Sequence, residues 1–147
     1  MVHVEASGGL MSQLTAEQLE AARQYHRERD AKRRAEREAY RQEWLDQART
    51  AIRQLAPGFP ALRRAWLFGS IVQPGRFRRD SDIDIAVECP DLEQESAFWQ
   101  AMERELRRNV DVRPYVGAIV QAVAWYGEIV YEREDAHSSQ QRRKIKP

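Results

Sequence analysis

Trp66-Leu67-Phe68-Gly69-Ser70 and, after a loop rich in Pro, Gly and Arg, Ser81-Asp82-Ile83-Asp84-Ile85-Ala86-Val87-Glu88 decide how this chain is read. The first piece reads as a buried strand, residues 65–68, that ends at Gly69-Ser70. The second reads as a strand over residues 82–87 with a charge anomaly. Side chains alternate across a strand, so Asp82, Asp84 and Ala86 are expected on one face and Ile83, Ile85 and Val87 on the other. Two carboxylates then stand roughly 6.5–7 Å apart at Cα. Like charges at that spacing repel and raise each other's pKa unless a cation sits between them. The pattern suits one or two divalent ions with oxygen ligands.

Working outward, Gly69 lets a phosphate approach the backbone, and a short helix opening there would offer free N–H groups and the hydroxyl of Ser70. A Gly-Ser pair alone is an ordinary turn; its weight comes from the Asp82-Ile83-Asp84 that follows. The intervening loop supplies Arg76, Arg78 and Arg79. Their guanidinium groups suit triphosphate oxygens, and each taken singly also reads as a solvent-facing loop residue. Val110-Asp111-Val112 is a third strand, carrying a half-buried acid between β-branched residues.

Gly69-Ser70, the spacer and Asp82-Ile83-Asp84 together resemble the signature of the DNA polymerase β-like nucleotidyltransferase superfamily, and most closely its minimal nucleotidyltransferase (MNT) branch. The resemblance covers roughly residues 65–132. The usual spacer is about ten residues and the stretch from Ile71 to Ser81 is one longer; the extra residue falls around Pro74-Gly75, in a loop that tolerates insertion. The resemblance implies a metal-dependent transfer of AMP from ATP to a hydroxyl, with two Mg2+ ions held by Asp82, Asp84 and Asp111. Asp111 would take the proton of the attacking hydroxyl. Gly69, Ser70, Arg76 and Arg79 would bind the nucleotide. It further implies an antitoxin whose partner is a HEPN-type ribonuclease toxin. Adenylylation of a small molecule such as an aminoglycoside, and neutralisation of a partner by contact alone, are the competing readings.

The rest of the chain sets the frame. At 147 residues it is one domain with appendages, and its formal charge of +1 gives no overall field for nucleic acid or membrane. A single cysteine, Cys89, excludes an internal disulfide and a thiolate zinc cluster, so a cytoplasmic setting is expected. No apolar run is long enough to span a membrane. Residues 1–11 read as frayed. Thr15-Ala16-Glu17-Gln18 reads as a capping box, with Leu14 and Leu19 as its staple. The helix that starts there meets no breaker before Pro57-Gly58, a run of some 40 residues and about 60 Å. From Arg27 to Glu38 it is almost wholly charged, with Glu28/Lys32 and Asp30/Arg34 spaced for ion pairs. That part is expected to project, or to meet another chain. Acids interleave its arginines and no aromatic pattern accompanies them, so direct nucleic-acid binding is not expected. From Tyr40 the apolar residues Trp44, Leu45, Ala48, Ala51, Ile52 and Leu55 return at helical spacing and are expected to dock.

Downstream, Phe98, Met102 and Leu106 mark one helical stripe over residues 91–108. An apolar helix over residues 116–126 is expected to end at Gly127 as its C-cap, and residues 128–131 form a last short strand. Residues 133–147 read as a polar tail ending in Arg142-Arg143-Lys144. The fold class is therefore α/β (α+β): a small mixed sheet with flanking helices, behind a long N-terminal helix. The expected divisions are 1–58 for the tail and long helix, 59–132 for the core and 133–147 for the tail.

Overall fold

The computed structural model describes residues 14–134. The segment 1–11 and the basic cluster Arg142-Arg143-Lys144 lie outside them. Helix α1 spans Ala16–Leu55 and leads through a 3-10 turn, Ala56–Gly58, to strand β1, Arg64–Phe68. A second 3-10 turn, Gly69–Val72, and a loop precede β2, Ile83–Glu88. Helix α2 (Leu92–Leu106), β3 (Val110–Pro114), helix α3 (Ala118–Ala124) and β4 (Glu128–Glu132) complete the order. The four strands form one mixed sheet in the order β3-β2-β1-β4. β1 is antiparallel to both β2 and β4, while β2 and β3 are parallel, joined by α2 as a crossover.

The described residues divide into two compact units, up to Glu36 and from Arg37 onward, a boundary inside α1. In the first unit the capping box forms as the sequence predicts. The Thr15 hydroxyl accepts from the Gln18 amide and the Gln18 side chain accepts from the Thr15 amide, both at 3.0 Å. The staple does not close a buried contact, since Leu14 and Leu19 are both exposed. The expected pairs Glu28/Lys32 and Asp30/Arg34 are not among the ion pairs of the described residues. Glu20 instead accepts from Arg27, two turns on, at 2.8 Å, and Gln24 donates to Glu28. Exposed side chains of this length have several partners within reach, and spacing alone does not choose between them.

In the second unit the C-terminal half of α1 is core. Leu45, Ala48, Ala51 and Ile52 are buried at helical spacing, with Trp44 and Leu55 packed against the same cluster. Their apolar face meets the buried row Ala65, Leu67, Ile83, Ile85, Val87, Val110 and Val112, and the Phe98, Met102 and Leu106 stripe of α2. Each large side chain taken fully out of water contributes about 1.5–3 kcal/mol. Two ties fasten α1 further. Arg49 reaches Glu128 at the start of β4 through two 2.6 Å bonds, and buried Arg41 is held by Glu38 while donating to the Ile71 carbonyl at 2.9 Å. Arg133, the first residue of the C-terminal segment, is also anchored, donating to the carbonyls of Phe59 at 2.8 Å and Leu62 at 3.1 Å.

A chain beginning at Arg37 is therefore expected to fold with melting behaviour close to that of the full chain, since it keeps Glu38, Arg41 and the buried stripe. Within it, Trp44→Ala should cost about 2–3 kcal/mol, because Trp44 is only half-buried. Urea unfolding of the two chains decides this; a truncated chain that fails to fold, beside a harmless Trp44→Ala, would reverse the division of α1.

Helix α3 departs from the expected span. It is seven residues long, and its C-terminal positive-φ residue is Tyr126 (φ 65°), not Gly127. Gly127 is needed for a different reason. Its amide donates to the Val123 carbonyl at 2.8 Å, and a Cβ there would lie 2.1 Å from that same oxygen. The last turn of α3 and the start of β4 approach too closely for any side chain.

Candidate active site

Alternation along β2 sends Ile83, Ile85 and Val87 into the main core and leaves Asp84 and Ala86 on the opposite face of the sheet. β1 and β3 obey the same parity. Trp66 pairs with Ala86, Phe68 with Asp84, and across the parallel ladder Asp84 stands level with Asp111 and Ala86 with Arg113. Helix α3 covers part of this face, where Trp66, Phe68, Ala86 and Val123 form a second small core. Asp84 and Asp111 are both half-buried on this face. Strand register thus brings together Asp84 and Asp111, which lie 27 positions apart in the chain.

Asp82 is expected inside the strand but lies one residue before it, exposed, in the segment that leads into Ile83. It remains close enough to act electrostatically on Asp84. Burial pushes the Asp84 carboxyl up to about 6, and the negative charges of Asp111 and then Asp82 push in the same direction, with Arg113 pulling the other way. Arg113 holds Asp111 directly through contacts of 3.1 and 3.2 Å. Its side chain is more than half exposed, so the pair is weak enough to open.

Gly69 has the close approach expected of it, but toward protein. It takes φ +75°, and a Cβ at this position would lie 2.2 Å from Asp84 Oδ2. The turn after β1 therefore presses its backbone against the acid of β2. The element it opens is a four-residue 3-10 turn, not an α-helix, so there is no helix dipole here; the turn's amide groups and the Ser70 hydroxyl are what it offers a phosphate. Gln73 donates to the Gly69 carbonyl at 3.1 Å, and Arg41 to that of Ile71, so the turn is held at both ends. All three loop arginines, Arg76, Arg78 and Arg79, are exposed. Arg79 rests its guanidinium 5.8 Å from the Tyr40 ring on α1. Buried Phe77 between them pins the loop to the core. The arginines that brace this region, Arg41 and Arg108, give no signal in sequence, because nothing separates them from the many surface arginines around them.

Asp82, Asp84 and Asp111 are hard oxygen donors and repel one another, which fits Mg2+. Among the described residues no group of three acid, histidine or cysteine side chains is gathered tightly enough to hold a metal unaided.

A mixed four-stranded sheet of this kind, with helices about it, is a nucleotidyltransferase-like fold. The family profile "Polymerase beta, Nucleotidyltransferase" matches residues 50–136, more than half of the 147. The chain belongs to that family and is a nucleotidyltransferase. Among solved structures it is similar to a double mutant of the toxin–antitoxin MntA–HpeT, at 25% identity over 60% of this chain and 76% of that one, with a TM-score of 0.48. It is similar to a toxin–antitoxin with AMP-PNP at 28% identity, covering 58% and 73%, TM-score 0.47. A third is a tri-AMPylated Shewanella oneidensis HEPN toxin in complex with MNT antitoxin, at 22% identity over 64% and 77%, TM-score 0.46. Among curated proteins nothing matches the chain. None of the described helices is long and apolar enough to cross a membrane.

Proposed function

We propose that this nucleotidyltransferase moves AMP from ATP to a hydroxyl of a partner protein, and that it is an MNT-type antitoxin acting on a HEPN-type ribonuclease. The observation that carries the chemistry is the contact between the Gly69 turn and Asp84, with Asp111 level on the next strand. A turn whose amides suit a phosphate, beside paired carboxylates, supports that chemistry. Asp82, Asp84 and Asp111 would hold Mg2+, which supplies neutralisation of phosphate charge and orientation of the leaving pyrophosphate. The Gly69-Ser70 turn holds the β- and γ-phosphates by its amides and hydroxyl, and exposed Arg76 is free to close over them. Arg79 would bind the nucleotide with it. Asp111, once released by Arg113, takes the proton of the attacking hydroxyl at a carboxylate oxygen, and the new ester bond to the α-phosphorus replaces the bond to pyrophosphate.

The choice of partner follows the motif resemblance, and one feature of the surface supports a protein acceptor. On and around α3, which covers the same sheet face as the acids, Val116, Val120, Trp125 and Tyr126 are exposed. Exposed apolar side chains beside the proposed site suit contact with another protein.

Incubation with labelled ATP and Mg2+, with and without the protein encoded beside it, tests the proposal. Label is expected on that protein, and mass spectrometry should find AMP on it. Label on a small acceptor, with the protein unmodified under active conditions, would favour antibiotic-type adenylylation. Neutralisation without any label would favour binding alone.

A further inference from the structure

Helix α2 ends at Leu106 and the chain turns through Arg107, a non-glycine residue in the left-handed region at φ 50°. A glycine is usual at such a turn, and a side chain there costs about 1 kcal/mol. The turn sets Arg108 and Asn109 beside the segment that leads into β2. Asp82 lies in that segment, outside the strand, so the ladder does not fix it. The peptide groups on either side of Asp82 are held instead. The Ile83 amide donates to the Asn109 carbonyl at 3.1 Å. The Ser81 carbonyl accepts from Arg108 Nε at 3.1 Å and Nη2 at 2.8 Å. The same guanidinium donates to the carbonyls of Arg78 at 2.8 Å and Arg79 at 3.0 Å, and to the Tyr40 hydroxyl at 2.8 Å. It lies 4.5 Å from the Phe77 ring and 4.8 Å from that of Trp44. The ion pairs of the described residues do not include Arg108.

We propose that Arg108 is a positioning residue for the nucleotide site: by gathering the carbonyls of residues 78, 79 and 81 it holds Asp82 beside Asp84 against their mutual repulsion. The proposal rests on the reading of Asp82 as a ligand given above. An acid on a free loop would swing away from its neighbour in the metal-free protein, and each binding event would have to bring it back. A rigid guanidinium fork with planar donors suits that task; a lysine has the charge but not the geometry. Loss of such preorganisation lowers affinity without removing any ligand.

The test compares Arg108→Met and Arg108→Lys with Arg133→Met. Arg133 makes the matched control, because it too holds carbonyls, those of Phe59 and Leu62, but on the loop before β1, at the end of that strand opposite Gly69. The probe is Mn2+ with α,β-methylene-ATP, titrated into each protein, with melting curves and backbone amide exchange measured on the metal-free forms. Arg108→Met is expected to weaken binding about tenfold or more and to speed exchange at Ile83 by a similar factor, with Arg108→Lys in between. Arg133→Met should bind within roughly twofold of wild type at a comparable loss of melting temperature. If Arg108→Met does not fold, Arg108→Lys carries the comparison. Wild-type binding by the Arg108 variants, or equal weakening by the Arg133 variant, overturns the positioning role and leaves the active site intact. A wild-type protein that binds no Mn2+–nucleotide removes the site reading and this proposal together.

Discussion

Asp84→Asn is expected to abolish nucleotidyl transfer and, above about pH 7, to leave the metal-free protein more stable than the wild type. The first effect should be about 10^3-fold or more, since the proposed function makes Asp84 a metal ligand. The second follows from Asp84 having its carboxyl pushed up to about 6 by burial and by Asp111 and Asp82, against an ordinary value of 3.8. A carboxyl raised on folding binds a proton more tightly in the native chain than in the unfolded one. Wild-type stability therefore falls as pH rises from about 4 through about 6, and the loss is complete above that. Asparagine carries no charge and escapes it. The gain should be about 1–2 kcal/mol at neutral pH and should vanish near pH 4. Mg2+ with ATP should raise the melting temperature of the wild type and do far less for the variant. Melting curves across pH, with and without Mg-ATP, check each part. A variant that is less stable at neutral pH and still active would make Asp84 a structural acceptor.

Gly69→Ala should damage both stability and transfer. At φ +75° an alanine is strained by its backbone alone, and its Cβ would lie 2.2 Å from Asp84 Oδ2 and 3.1 Å from Cγ. Asp84 has to move or the turn has to open, and either separates the Gly69 turn from the acid. A loss of about 2–4 kcal/mol and of about 10^2-fold or more in transfer is expected. Gly75→Ala is the control, because its φ of +78° is as unfavourable but a Cβ there meets nothing within 4 Å. It should cost about 1 kcal/mol and little activity. Pairing Gly69→Ala with Asp84→Ala removes the atoms in collision, so the two losses should fall short of additive by about 1 kcal/mol or more. Urea unfolding of the four proteins measures this. Strict additivity would show that the collision relaxes elsewhere and that Gly69 does not depend on Asp84.

Sites of this kind set stability against function, and here the opposing forces can be named. Three acids are kept near one another, two by strand register and one by a loop. The cost appears as the raised Asp84 carboxyl, and Arg113 offsets part of it as a counter-ion. An exposed arginine suits that role, because a buried pair would cost more to open.

Local chemistry determined much of this molecule. The Thr15 capping box and the absence of any breaker before Pro57 set the 40 residues of α1. Alternation in Ile83-Asp84-Ile85-Ala86-Val87 placed Asp84 on the face away from the core, and the glycine at position 69 marked the close approach. These are periodic or stereochemical signals, carried by neighbours in the chain. The tertiary structure decided what depends on distant partners. Asp84 and Asp111 meet only through the parallel register of β2 and β3. Gly69 presses on Asp84, not on open space for a ligand, which is a fact about two strands. Gly127 is required by the Val123 carbonyl and not by its own φ, so its place as a helix cap was misleading. Asp82 falls outside the strand that its spacing predicts, and the peptide groups beside it are held by Arg108 and the Asn109 carbonyl. An arginine's function is set by which carbonyls surround it, and no pattern along the chain distinguishes Arg41 or Arg108 from the other arginines until the fold brings those carbonyls to them.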